Sequence, residues 1–164
     1  MKKIVLLFCC LLALTAQAQT VTKTTHKKAV KTDAVTTGTV TIRKPDYICI
    51  SVDNNKDQLI MDGTQFTMTM GKRKHVTDSK KNAQFVTFQQ VLTAVINNQP
   101  IPTSEELTIL TKGGQKVITI TPVSKKRQLF SSFVLTIDAK TSAFRTLRMN
   151  GRGEDYTEYT FQGK

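Results

Sequence analysis

The sequence has no tryptophan, two histidines and three cysteines among its 164 residues. Neither His26 nor His75 stands near a cysteine or a carboxylate at a spacing that suits a metal ion, so neither a metal site nor a cofactor is expected. The motifs Gly-x-Ser-x-Gly, Cys-x-x-Cys and His-Glu-x-x-His are missing, as is a phosphate-binding glycine loop. These absences predict a protein that is not an enzyme.

Acidic residues are scarce, with 12 against 24 basic ones, which gives a formal net charge of +12. This charge favours anionic surfaces or partners, lipid phosphates among them. The basic groups Lys72–Lys74 and Lys125–Arg127 have no interleaved aromatic residues that could stack on bases, so nucleic acid is not an expected partner. Solvated turns are the simpler interpretation of both groups, and a lipid headgroup or membrane surface is the functional one.

The sequence also lacks an apolar run long enough to cross a bilayer, since the apolar run Ile4–Leu14 is too short. This run follows the basic residues Lys2 and Lys3 and precedes the small-residue motif Ala16-Gln17-Ala18. The three features are those of a secretory signal peptide that is cleaved after Ala18. The sequence therefore predicts export to the periplasm.

A lipoprotein signal that uses Cys9 or Cys10 is the alternative, but Phe8 stands where such a signal needs a small residue. Cleavage after Ala18 leaves one domain, residues 19–164, with a net charge of +10 because two lysines leave with the signal. Its single cysteine, Cys49, cannot form an intramolecular disulfide.

Alternating apolar residues between Gly38 and Met70 predict four antiparallel strands with one continuous apolar face. In the first two strands the apolar residues, among them Ile42 and Ile50, occupy even positions, so an odd number of loop residues must join these strands. The sequence predicts the three-residue loop Pro45–Tyr47, which places Ile42 opposite Ile50.

In the next hairpin, the apolar residues have odd numbers in one strand, Leu59 and Met61, and even numbers in the other, Phe66 and Met68. A two-residue loop satisfies this parity, and Asp62-Gly63 is a preferred pair for such a turn.

The remainder predicts one helix and further strands. Phe85, Phe88 and Leu92 recur at helical spacing, which predicts an amphipathic helix from about residue 80 to 97, capped by Asp78 or Ser79. A basic turn is predicted at 71–75 and an edge strand at 21–27. Further predicted strands are 107–111, 116–121, 133–137, 144–149 and 156–161. With about ten strands, the fold class is mainly β (α+β), a curved antiparallel sheet or half-open β-barrel whose concave face one helix covers.

The order of these motifs resembles the LolA family of periplasmic lipoprotein carriers. The motifs are Gly-x-Val-x-Ile-Arg-Lys-Pro ending at Pro45, an alternating strand, and the apolar strand Gln58–Met61 before Asp62-Gly63. Weaker resemblance continues through Ile118–Pro122 and the later strands. The family usually opens with an amphipathic helix, and no apolar period of 3.6 residues precedes Gly38.

The resemblance implies a cavity for acyl chains between the sheet and the helix. The implied lining residues, all apolar, are Val40, Ile42, Ile48, Ile50, Leu59, Phe66, Met68, Phe85, Phe88 and Leu92. A close-packed core is the competing interpretation of the same residues. Lys44 takes the place of a family arginine that contacts the helical lid, and it lacks the planar fork of that arginine.

Two functions follow from this resemblance. The first is a monomeric carrier that shields the acyl chains of lipoproteins between a releasing inner-membrane transporter and an outer-membrane acceptor. The second is an exported adaptor or sensory module that binds a protein or an envelope lipid without carrying cargo. Lipoproteins that co-purify with the protein would favour the first function.

Overall fold

Eleven strands form one antiparallel sheet in the computed structural model, which describes residues 19–123 and 128–163. The predicted signal peptide and the run Lys125–Arg127 lie outside the described residues. The strands are β1 (Gln19–His26), β2 (Ala34–Arg43), β3 (Tyr47–Val52), β4 (Asp57–Asp62), β5 (Gln65–Met70), β6 (Arg73–Asp78), β7 (Leu107–Lys112), β8 (Gln115–Ile120), β9 (Ser132–Asp138), β10 (Phe144–Asn150) and β11 (Tyr156–Phe161). The mainly β class and the curved, unclosed sheet are confirmed.

The strand order is β6-β5-β4-β3-β2-β1-β11-β10-β9-β8-β7. The last strand returns to pair with the first, with Val21 opposite Phe161. The prediction that β1 lies at an edge is therefore wrong, since β2 covers one side of it and β11 the other. The edges are β6 and β7, which do not pair with each other within the described residues.

The predicted three-residue length of the first hairpin loop is confirmed, but the predicted position of this loop is wrong. Ile42 lies opposite Ile48 and Val40 opposite Ile50, so the three loop residues are Lys44–Asp46. Tyr47 belongs to β3 because it pairs with Arg43, whose guanidinium carbon lies 3.9 Å from the centre of the tyrosine ring. In the register set by this pair, β3 gains Tyr47 and β2 ends at Arg43, one residue earlier than predicted.

The two-residue loop between β4 and β5 is likewise confirmed in length and shifted in position. Asp62 pairs with Gln65, so the loop is Gly63-Thr64, and Gly63 has a φ of +59°. Glycine at the first central position, with a positive φ, is the requirement of a type II′ turn.

The predicted helix is present, but it begins later than predicted. A 3-10 turn, Ala83–Phe85, leads into α1, Val86–Ile96, and neither has a side-chain hydrogen bond at its N-cap. Asp78 instead accepts a hydrogen bond from the backbone N–H of Lys80, which turns the chain before the helix. Within the described residues, no helix is long and apolar enough to span a bilayer.

The predicted basic turn at 71–75 is wrong in its second half, because Arg73–His75 belong to β6. Only Gly71-Lys72 form the turn, with a φ of +58° at Gly71. Exposed cations on β6 are typical of an edge strand, where charge discourages pairing with another chain. This strand raises the strand count from the predicted ten to eleven.

The sheet curls strongly around β2. Lys23 in β1 forms an ion pair with Asp57 in β4, at 3.0 Å between Nζ and Oδ2. Two strands separate β1 from β4, so their backbones would lie about 14 Å apart in a flat sheet. Gly38 permits the curl, because a Cβ atom built at this position would lie 1.9 Å from the backbone oxygen of Ser51.

We expect Gly38→Ala to lower the free energy of unfolding by at least about 2 kcal/mol, since the added methyl group forces β2 away from β3. Urea denaturation would measure the loss. Thr39→Ala is the matched control on the exposed face of the same strand, and its cost should stay below about 1 kcal/mol. Equal losses for the two variants would contradict the close approach at Gly38.

Candidate functional site

The concave face of the sheet has a part that α1 covers and a part that it leaves open. Eight of the ten predicted lining residues are buried in one apolar cluster under or beside α1, and two, Ile42 and Met68, are partly buried against it. Ile50 and Phe88 are each 1% exposed. The structure therefore brings the predicted residues together as close-packed core, and their contact with an acyl chain stays a prediction.

Five phenylalanine rings connect the helix to both halves of the sheet. Phe88 of α1 stacks on Phe133 of β9 at 4.2 Å between ring centres, and it lies 5.6 Å from Phe66 of β5. Phe85 lies 4.9 Å from Phe66 and meets Phe130 edge-on at 6.4 Å. Because β5 and β9 lie near opposite edges of the sheet, these rings fill the gap that the unpaired edges leave.

Few polar contacts hold the helix in place. The side-chain amide of Asn97 donates to the backbone oxygen of Pro45 at 2.6 Å, at the end of the sheet that we call the lid end. Near the start of α1, the hydroxyl of Thr87 donates to Glu106. Lys44 is exposed in the same turn as Pro45 and has no hydrogen-bond or ion-pair partner in the described part of the chain, so its contact with the lid stays a prediction.

Beyond the helix, the concave face continues as a groove at the opposite end of the sheet, which we call the open end. An inner cavity of about 130 Å³ adjoins a wider outer depression of about 360 Å³ and a smaller one of about 100 Å³. Thr157 lines all three, and Lys23 and Met70 line the first two. The apolar side chains of this open-end groove are Val30, Met68, Met70, Leu129, Phe130 and Met149.

Phe130 separates the open-end groove from the core under the helix. Its ring lines the inner cavity on one side and packs against Phe85 and Phe133 on the other. The backbone N–H of Phe130 donates to the side-chain oxygen of the buried Gln84 at 3.3 Å. A single aromatic side chain therefore stands between the groove and the predicted lining residues.

The wall of the groove contains a partly buried ion pair. The side chain of Lys23 is 9% exposed, and that of Asp57 is 26% exposed. Burial acts to raise the pKa of Asp57, but the hydrogen bond and charge of Lys23, with the N–H of Gly71 as a further donor, hold that pKa below its ordinary value. Burial, with the nearby charge of Asp57, raises the pKa of the Tyr159 hydroxyl, so this groove residue stays neutral.

Sequence reasoning missed most residues of the groove. Alternation from Val21 places Lys23 on the inward face of β1, but the lysine suggested an edge strand instead. Met149 and Tyr159 follow the same inward alternation in β10 and β11. Leu129 and Phe130 lie in a loop without periodicity, so no pattern in the sequence could place them. Met70, predicted to continue the apolar face, is 56% exposed at the mouth of the groove.

A polar depression of about 410 Å³ lies at the lid end, beside Gly113, Asp138 and Arg145. The carboxylate of Asp138 already accepts hydrogen bonds from the N–H of Thr141, the guanidinium of Arg145 and the N–H of Lys140, and these hold its pKa well below the ordinary range. This carboxylate stabilises its own turn, so the open-end groove remains the candidate site.

We expect Lys23→Met to destabilise the protein by about 1–2 kcal/mol at pH 7, because the partly buried carboxylate of Asp57 then loses its cationic partner and keeps only the N–H of Gly71. The folded state of the parent lowers the pKa of Asp57, so the stabilisation is present above its unfolded pKa, near 3.9, and is lost as the pH falls through the folded pKa. The difference between parent and variant should therefore shrink below about pH 4. Urea denaturation between pH 3 and 7 would measure it.

Lys28→Met is the control for Lys23→Met, since it removes an exposed ion pair with Glu154, at 3.5 Å, in which both side chains are about two-thirds exposed. Its effect should be within about 0.5 kcal/mol at every pH. A deficit for Lys23→Met that does not change with pH would contradict the role of Asp57.

Comparison with known proteins gives one match along most of the chain. The family model described as "Outer membrane lipoprotein carrier protein LolA" matches residues 13–163. A search of curated protein sequences finds no match.

Solved structures resemble this chain only loosely. A LolA superfamily protein from Nitrosomonas europaea has 6% identity and a TM-score of 0.32, with 91% of this chain and 86% of that chain covered. A DUF1329 family protein from Desulfovibrio piger has 12% identity and a TM-score of 0.36, covering 91% and 85%. A domain from Vibrio parahaemolyticus, described as an outer membrane lipoprotein-sorting protein, has 10% identity and a TM-score of 0.37, covering 89% and 83%.

The assignment therefore rests on the family model, which spans all eleven strands and α1. It agrees with the resemblance that the strand and turn motifs before Met70 indicate. The chain belongs to the LolA family of outer membrane lipoprotein carrier proteins.

Proposed function

We propose that this protein is a periplasmic carrier that shields the acyl chains of lipoproteins on their way from the inner to the outer membrane. LolA-family proteins are non-enzymatic, periplasmic and bind lipoproteins. The main observation that supports this proposal is that the apolar concave face extends past α1 into the open-end groove. In this proposal the protein acts as a monomer after removal of residues 1–18, with an inner-membrane transporter as donor and an outer-membrane acceptor.

The groove has the chemistry that an acyl chain requires. Three methionines, Met68, Met70 and Met149, line it, and an unbranched thioether adapts to a mobile chain. Its wider part, about 360 Å³, is within the lower range of ligand pockets. Each methylene group removed from water contributes about 0.8 kcal/mol, so binding needs no directional contacts.

We propose that a longer chain passes Phe130 and reaches the residues under α1. The helix is held mainly by apolar packing, which a hydrocarbon chain can replace without leaving polar groups unpaired. Rotation of the Phe130 ring would join the inner cavity to the space beside Phe85 and Phe133. In this way the predicted lining residues Ile50, Leu59 and Phe66 become cargo contacts only when the helix shifts.

Filling the groove tests the proposal directly. Thr157→Trp places a large ring where all three cavities meet, so affinity for a fluorescent fatty-acyl probe or an acylated peptide should fall at least about tenfold. Thr160→Trp is the control, because Thr160 is exposed on the opposite face of the same strand. Probe titration and thermal melting of both variants and the parent would separate lost binding from unfolding. Equal affinities for the two variants would contradict a cargo site in the groove.

The role of Phe130 has its own test. Phe130→Ala should destabilise the protein by about 3 kcal/mol, yet strengthen probe binding, because it joins the groove to the core. Phe144→Ala is the matched control, since Phe144 is also buried and packs on Phe161, 5.6 Å away, at the lid end. It should lose similar stability with no gain in binding. Weaker binding by Phe130→Ala would mean that this ring forms part of the site rather than its barrier.

Cargo identity decides between a carrier and an adaptor. Lipoproteins recovered with the protein from a periplasmic fraction would support the carrier. Correct placement of outer-membrane lipoproteins in cells depleted of the protein would overturn it and leave the adaptor or sensory module.

A further inference from the structure

The loops around the groove combine exposed apolar side chains with cations that have no partner. Successive hairpins alternate between the two ends of the sheet, so the loop 27–33, the turn 53–56, the turn 71–72, the loop 151–155 and the described parts of the loop 121–131 all lie at the open end. Val30, Met70 and Leu129 project from this end and are each between 52% and 56% exposed. All three also line the groove, so its lip is apolar.

Lysines surround this apolar lip. Lys27, Lys31, Lys56 and Lys72 are exposed at the open end, and none of them has an ion-pair partner within residues 19–123 and 128–163. Among the acidic groups at this end, Asp57 pairs with Lys23 and Glu154 with Lys28, whereas Asp33, Asp53 and Asp155 have no lysine or arginine ion-pair partner within the described residues. The open end therefore has an excess of unpaired positive charge.

The lid end lacks this combination. Its turns and the adjoining strand ends contain Asp46, Asp62 and Asp138 besides lysines, so mixed charge is common to both ends and the apolar lip is what distinguishes the open end. The exposed apolar residues of the edge strands, Val76 and Leu110, lie within β6 and β7 rather than at the turns of the lid end. Apolar lip and unpaired cations coincide at the open end, where the groove begins.

From this coincidence we infer that the open end docks on an anionic lipid bilayer, with Val30, Met70 and Leu129 inserted among the headgroups and the lysines bound to lipid phosphates. Interfacial binding combines buried apolar area with attraction to anionic lipid, and the open end supplies both. The inference rests on the proposed function for its purpose, because a docked groove faces the surface from which an acyl chain enters or leaves.

Charge complementarity selects the bilayer as the partner. The chain has a net charge of +12, or +10 once Lys2 and Lys3 leave with the proposed signal peptide, whereas anionic headgroups present a continuous layer of negative charge. Each lysine near such a surface strengthens binding severalfold, and the effect extends over about one Debye length. The flexible lysine side chains suit a fluid array of phosphates, since a point charge needs no fixed geometry.

The experiment compares two variants of equal charge. The open-end variant combines Lys31→Gln, Lys56→Gln and Lys72→Gln. The lid-end variant combines Lys80→Gln, Lys112→Gln and Lys140→Gln, all exposed positions. Co-sedimentation with phosphatidylglycerol-containing vesicles would measure binding at 0.05 M and 0.3 M salt, with pure phosphatidylcholine vesicles as the neutral reference.

We expect the parent to bind the anionic vesicles and to release them as the salt rises. The open-end variant should bind at least about tenfold more weakly, and the lid-end variant less than threefold more weakly. Equal losses would overturn docking by this end, since net charge alone would then explain binding. No binding by the parent, or binding to polyglutamate but not to vesicles, would overturn the bilayer as partner.

A second pair of variants tests insertion. Met70→Ser combined with Leu129→Ser should weaken vesicle binding, whereas Val76→Ser combined with Leu110→Ser should not. An unchanged affinity of the first pair would overturn insertion of the lip. Thr157→Trp keeps every lysine, so it should lose probe binding and keep vesicle binding. The acyl site and the docking surface can therefore fail separately.

Discussion

Packing of five phenylalanine rings between the start of α1 and the two halves of the sheet is the contact on which the rest of the structure depends. The sheet is long and curled, but β6 and β7 do not pair within the described residues, so backbone hydrogen bonds do not close it. Phe85 and Phe88 connect Phe66 on one half to Phe133 on the other. Side-chain packing therefore closes the sheet in place of a ladder of hydrogen bonds between strands. Such closure is easier to reverse, because the apolar contacts between the rings can be replaced by apolar contacts with a bound hydrocarbon chain.

Curling of the sheet and the chemistry of the groove have a common origin near β1. Gly38 lets β2 approach β3, and the curl brings Lys23 within 3.0 Å of Asp57 across the concave face. A partly buried ion pair of this kind contributes little net stability compared with apolar packing, but removing one partner leaves the other charge poorly solvated. The pair therefore holds the wall of the groove in place and is not expected to contribute to the affinity of the groove for an acyl chain.

The two ends of the molecule differ in how they meet solvent. At the lid end, Asn97 ties α1 to the turn at Pro45, and Asp138 is fully engaged by its own turn. At the open end, the apolar lip and the unpaired lysines have no partner within the described chain. A carrier needs this asymmetry, since cargo has to enter at one place while the rest of the fold stays closed.

The sequence by itself determined ten of the eleven strands, their facing and the family. Parity of the apolar residues requires a three-residue loop before β3 and a two-residue loop before β5, because side chains alternate at every residue. The same parity cannot distinguish registers that differ by two residues, and the pairing of Arg43 with Tyr47 decided that choice. Helical spacing located α1, although its start was misplaced because no capping side chain marks it. Only the tertiary structure decided that β1 is central, that the predicted lining residues pack as core, and that the groove lies beyond the helix. These facts depend on contacts between residues far apart in the chain, such as Val21 with Phe161 and Lys23 with Asp57, which no local pattern encodes.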